Sequence, residues 1–168
     1  QDPDPRLAEE MVLALEKIKT EKACAILSGY LYFNDSKIRL RAAQALGTIG
    51  NETWLPNLTD AFSQAEDNRM QMIPIIASLG KEKALPFFRQ ILLDQKQSFL
   101  KSFLGKSSDE FVMQILSALI KIPSEKTLKL LDDYKKTFGR GLGALFQSNK
   151  LMVAIENVRR SIQKKLNR

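Results

Sequence analysis

The chain has 168 residues, 44% hydrophobic and 27% charged, with a net charge of +7, and no run of about 18 apolar residues offers a membrane span. It contains no histidine and one cysteine, Cys24, which excludes Ser-His and Cys-His nucleophiles and an internal disulfide, and leaves zinc without its usual ligands. Stretches rich in Ala, Leu, Ile, Lys, Gln and Glu favour helix over strand, so an all-α fold in one domain spanning 1–168 is expected.

The sequence begins Gln1-Asp2-Pro3 instead of with Met. That start favours an exported mature chain, for example a periplasmic one, over a cytoplasmic one, although simple trimming leaves the same start. The first predicted helix carries Met11, Leu15 and Ile18 at three- and four-residue steps and ends at Ile18-Lys19-Thr20-Glu21. The same face recurs as Ala42, Leu46 and Ile49, as Met72, Ile76 and Leu79, and as Ile115, Leu119 and Ile122. The junctions after these helices are Ile49-Gly50-Asn51-Glu52, Leu79-Gly80-Lys81-Glu82 and Ile122-Pro123-Ser124-Glu125, spaced by 31, 30 and 43 residues.

Each junction is a tight turn. Gly50 and Gly80 suit the left-handed conformation that ends a helix, and Pro123 cannot continue one. A second helix follows each turn, with Cys24, Leu27 and Leu31 matching Leu55, Leu58 and Phe62, then Leu85, Phe88 and Leu92, then Leu128, Leu131 and the polar Lys135. Pro56 and Pro86 occupy equivalent first-turn places, where a missing backbone N–H costs little. Four helix pairs are thus expected, over about 4–33, 34–64, 65–94 and 108–138.

The segment from Asp35 to Gly50 resembles a HEAT-like repeat of the type named after phycobilisome lyases. Its marks are an acidic residue, an aliphatic-Arg pair (Ile38-Arg39), the Ala42-Ala43 step and a Leu-Gly end. The third copy keeps Arg69 and Leu79-Gly80 but has Met72-Ile73 for the alanines; the first and fourth have Ala8 and Val112 for the arginine. The resemblance, covering 4–138, implies a right-handed α-solenoid of about four HEAT-like pairs with a C-terminal capping helix. It also implies that second helices line a concave face. Among family activities, chromophore lyases and DNA glycosylases are known; Trp54 and Asp60 are the residues that a glycosylase reading would cast, yet a near-neutral solenoid speaks against it.

The spacing of 43 places an insertion at 95–107, where Phe99, Leu100, Phe103 and Leu104 alternate with Lys96, Lys101 and Lys106. Packing on the stack is the reading preferred over an exposed binding element. After Phe138, Gly139-Arg140-Gly141-Leu142-Gly143 reads as a hinge before a capping helix with Leu151, Ile155, Val158, Ile162 and Leu166 on one side. Residues 139–168 hold seven basic side chains and one acid, so +6 of the net +7 resides there and the remainder is nearly neutral.

The carboxylate pairs Glu9-Glu10, Glu66-Asp67, Asp109-Glu110 and Asp132-Asp133 are read as structural, three of them placed early in first helices where they meet the positive end of the dipole. No catalytic residue, cofactor or metal is assigned. The favoured function is a non-catalytic scaffold that binds a protein partner through the non-core side of its second helices, with Ile26, Tyr32, Phe87 and Leu130 as anchors. The rival is nucleic-acid or polyanion binding through Arg159, Arg160, Lys164 and Lys165.

Overall fold

A computed structural model describes residues 4–64, 67–93, 108–140 and 149–167. Among them there is no strand, and the helices are α1 (Pro5–Ile18), α2 (Glu21–Tyr30), α3 (Ser36–Ile49), α4 (Leu55–Gln64), α5 (Arg69–Gly80), α6 (Leu85–Leu93), α7 (Ser108–Leu119), α8 (Glu125–Arg140) and α9 (Asn149–Leu166). The chain is an all-α repeat of helix pairs. The expected insertion 95–107 and Gly141 to Gly143 of the expected hinge lie outside the described residues. The helices form two compact units, residues 1–80 and 81–168, and the dividing point falls inside the third pair, between α5 and α6.

In residues 1–80 the local signals are short polar caps. Asp4, Thr20 and Asp35 are N-caps of α1, α2 and α3; Asp35 accepts from the backbone N–H of Lys37 at 2.7 Å. Each such bond satisfies a donor that the helix cannot pair itself. Gly50 ends α3 at φ 78°, with its N–H donating to the Leu46 carbonyl, and Lys19 ends α1 in the same conformation at φ 56°. Gly80 departs from expectation: α5 runs through it, and Lys81 at φ 47° takes the left-handed turn instead. Pro56 and Pro86 are second in α4 and α6, each behind a 3₁₀ turn, Glu52–Trp54 or Lys81–Ala84.

Successive pairs pack first helix to first helix, α1 on α3 and α3 on α5, with α2 against α1 and α3, and α4 against α5. Ala42, Ala43 and Ala45 are fully buried and permit close approach. At Gly47 a β-carbon would stand 2.7 Å from Cγ2 of Ile75, so α5 lies where a larger residue on α3 would collide with it. The arginine of the repeat has a definite task. Arg39 donates through Nη1 to the carbonyls of Phe33 and Asn34, at 2.6 and 2.8 Å, and through Nη2 to both oxygens of Asp67. Arg69, 5% exposed, donates through Nε to the Phe62 carbonyl and through Nη2 to that of Ser63. Both arginines fasten the start of one pair to carbonyls that trail the pair before: those of the turn after α2 for Arg39, and those of the last turn of α4, the orphan acceptors of a helix end, for Arg69.

In residues 81–168, α8 packs against α6 and α9, and α9 also packs against α7. Pro123 stands past the end of α7, and the buried hydroxyls of Ser124 and Thr127 start α8: Thr127 Oγ1 donates to the Ile122 carbonyl at 2.6 Å, and Ser124 Oγ accepts from Thr127 N–H. The buried face of α9 is Leu151, Ile155, Val158 and Ile162, each worth ~1.5–3 kcal/mol relative to exposure. Ion pairs surround it. Lys135 of α8 bonds to Glu156, which explains why the fourth copy is polar where the others are apolar.

Candidate partner-binding surface

The four proposed anchors do not share one environment. Ile26, on α2, is 50% exposed, and Tyr32, in the turn just after α2, is 44% exposed. Tyr32 donates its hydroxyl to Asp60 Oδ2 at 2.6 Å, and the same oxygen accepts from Gln64 Nε2 at 2.9 Å. Partial burial and the Asp60 carboxylate together push the phenol up to about 12, so it remains a neutral donor at any ordinary pH. The ring is therefore held in place with its polar end already bonded inside the chain.

Phe87, on α6, is half-buried, its ring meeting the fully buried Phe88 edge-on at 5.5 Å and 61°. Adjacent residues on a helix point about 100° apart, so Phe88 fills the core while Phe87 sits at its margin. Leu130 must be withdrawn as an anchor, because it is 3% exposed. Its helix, α8, packs against α6 and α9.

The cationic group of the rival reading is divided as well. Arg159 Nε lies 3.2 Å from Asp132 Oδ1, an electrostatic contact rather than an aligned hydrogen bond, and Lys165 Nζ donates to the Ile120 carbonyl just past α7. These two dock α9 onto its neighbours. Arg160 and Lys164 are exposed, and Arg160 donates to Asn157.

The carboxylate pairs have structural surroundings. Asp109 and Glu110 lie in the first turn of α7, as read, and Asp132 and Asp133 face Arg159 and Arg89. Glu9 and Glu10 are beyond the first turn of α1, and Asp67 precedes α5, where the Arg39 guanidinium holds its carboxyl below the ordinary range. Trp54 is half-buried in the 3₁₀ turn ahead of α4. Among the described residues no three acidic, Cys or His side chains are grouped to hold a metal ion. No helix among them is long and apolar enough to cross a membrane.

Helices α3 and α4 follow the Asp35 cap and carry the Arg39 fastening and the buried alanines. Residues 38–64 match the model of the PBS lyase HEAT-like repeat. This pair is similar to a HEAT-like repeat. No curated protein matches the chain. The same pattern extends in register to α1–α2 and to α5, as a helical repeat. What sequence reasoning missed is the partner of Tyr32: Asp60 is 28 residues away, and only the packing of consecutive pairs brings them together.

Proposed function

We propose that the protein is a non-catalytic scaffold that binds a protein partner on the second-helix side of its HEAT-like pairs. Ile26 and Tyr32 are the anchors in residues 1–80, and Phe87 is the anchor in residues 81–168. The observation that carries this reading is the exposed Tyr32 ring whose hydroxyl is already bonded to Asp60. An aromatic side chain with its polar atom satisfied in advance is covered by a partner at little desolvation cost, and rigid aromatics are favoured as binding hot spots. Asp60, bonded from both Tyr32 and Gln64, acts in this reading as a support for the anchor and not as an acid or base.

The test places a photo-crosslinking residue at Ile26 and, as a control, at the exposed Gln44 on α3. A discrete adduct of a second polypeptide at position 26, absent at 44 and diminished by Tyr32→Ala in a folded chain, is the expected result. Equal labelling at both positions, or an adduct indifferent to Tyr32→Ala, would remove these residues from the site. For the polyanion reading, Arg160, Lys164 and Lys165 are the exposed members of the set, with Lys165 already bonded to the Ile120 carbonyl, which predicts weak, steeply salt-sensitive DNA binding at most.

A further inference from the structure

The two units carry charge of opposite sign. Residues 1–80 hold eight basic and eleven acidic side chains, a net of −3, whereas residues 81–168 hold eighteen and eight, a net of +10. The helix α9 supplies part of this surplus. Another part lies on an exposed crest of α8, the second helix of the fourth pair.

Lys129 and Lys136 form that crest, seven residues and therefore about 10 Å apart on one face. Both are exposed, and neither has a hydrogen bond or ion pair to another described residue. The acids beside them are already used. On the flank toward α6, Asp133 accepts from Arg89 Nη1 at 2.7 Å, and Lys126 donates to Glu82 Oε2 at 2.9 Å. On the flank toward α9, Asp132 faces Arg159, and Lys135 bonds to Glu156. The remaining acid of α8, Glu125, stands in its first turn, at the positive end of the helix dipole. Arg89 holds the Asp133 carboxyl below the ordinary range, and Lys129 and Lys136 add to that field, so three cations share one carboxylate. Because α6 and α9 lie on its two flanks, the crest is not the bare side of a terminal helix.

The pattern of charge selects the occupant. A continuous polyanion such as nucleic acid lays phosphates along the whole crest, and between the two lysines it meets Asp132 and Asp133. A peptide can place carboxylates at Lys129 and Lys136 alone, with uncharged residues over the paired acids. Two acids about 10 Å apart on one side are three residues apart in a polyproline II segment or seven apart on a helix.

Resting on the reading above that a protein partner binds the second-helix side, we propose that the crest of α8 takes an acidic segment of that partner, two of its carboxylates pairing with Lys129 and Lys136. The test is a nitrogen–proton NMR titration of the full chain at low salt, which detects and locates weak binding. The probes are a proline-rich peptide with glutamates three residues apart, an alanine-rich peptide with glutamates seven apart, the same peptides with lysine for glutamate, and oligo(dT). The expected result is saturable amide shifts centred on α8 with a glutamate peptide and none with its lysine counterpart. Lys129→Glu with Lys136→Glu should weaken that binding about ten-fold, because two attractions become repulsions. Arg160→Glu with Lys164→Glu, on the outer side of α9, should leave it unchanged. If the first double variant fails to fold, Lys129→Gln with Lys136→Gln removes the same two charges and should weaken binding to a smaller extent. Shifts centred on α9, oligo(dT) binding as tightly as the peptides, or no shift with either glutamate peptide would each overturn the proposal. The crosslinking at Ile26 fails or succeeds independently: an adduct there with no peptide shift on α8 leaves the scaffold reading standing and removes this inference alone.

Discussion

Residues 1–80 and residues 81–168 use the same helix-pair pattern but fasten it by different means. In the first region consecutive pairs are joined chiefly by arginine-to-carbonyl bonds, buried at Arg69 and half-buried at Arg39, where an Asp67 ion pair adds to them, and by close apolar approach at Gly47. In the second, exposed or half-exposed ion pairs ring the apolar contacts: Arg89–Asp133, Lys126–Glu82, Arg159–Asp132 and Lys135–Glu156. A buried arginine that satisfies two main-chain acceptors cannot be removed without orphaning them, whereas exposed ion pairs contribute ~0–1 kcal/mol each and weaken with salt. The first region should therefore be sensitive to single substitutions and the second to ionic strength.

The sharpest way to break that contrast is Arg69→Met. It leaves the Phe62 and Ser63 carbonyls without their donor and should lower the stability read from urea unfolding by about 2–4 kcal/mol. Removal of Arg89 from its exposed pair should leave that stability unchanged within the error of the assay. Next in size is Gly47→Val, expected to cost about 1–3 kcal/mol in the same assay because its side chain would occupy the space of Ile75.

A smaller effect sharpens the other half of the comparison. Raising salt to about 1 M shortens the screening length to about 3 Å, and hydrogen exchange should then speed up in α9 by more than in α5. Equal responses in the two helices would show that the ion pairs around α9 contribute nothing.

The smallest effect concerns the anchor. Tyr32 and Tyr134 are both pushed up to about 12, chiefly by burial, with Asp60 reinforcing the shift at Tyr32. A phenol whose folded value lies above its unfolded value near 10 keeps its proton longer when folded. Its stabilisation is full below about 10 and declines as pH rises toward 12. Phenolate absorbance should accordingly show two late-titrating tyrosines, and Asp60→Asn should bring Tyr32 to lower pH while leaving Tyr134 in place.

Much of this arrangement was legible in the sequence, because four copies of one pattern reveal helix pairs, junctions and the Arg39–Arg69 correspondence without coordinates. Periodicity says which residues share a face; it does not say what covers that face. For this reason Met11 and Ile18 look like core residues although they are exposed, and Leu130 looks like an anchor although it is buried. Likewise Arg159 and Lys165 count as positive charge in a sequence, but their acceptors at Asp132 and Ile120 are brought near only by folding. The left-handed turn at Lys81 rather than Gly80 is a shift of one residue in a helix end, below what spacing alone can resolve.

The register that places equivalent residues on equivalent faces is tested most directly by cysteine labelling at Met11, Ala42 and Met72, one at a time, in a Cys24→Ala background. Labelling is carried out on the dilute chain, with urea-unfolded controls. The prediction is rapid modification at position 11 and strong protection at 42 and 72, because only the latter two lie under a preceding pair. Position 42 or 72 reacting as fast as position 11 would contradict the repeat register, and with it the fastening role of the arginines.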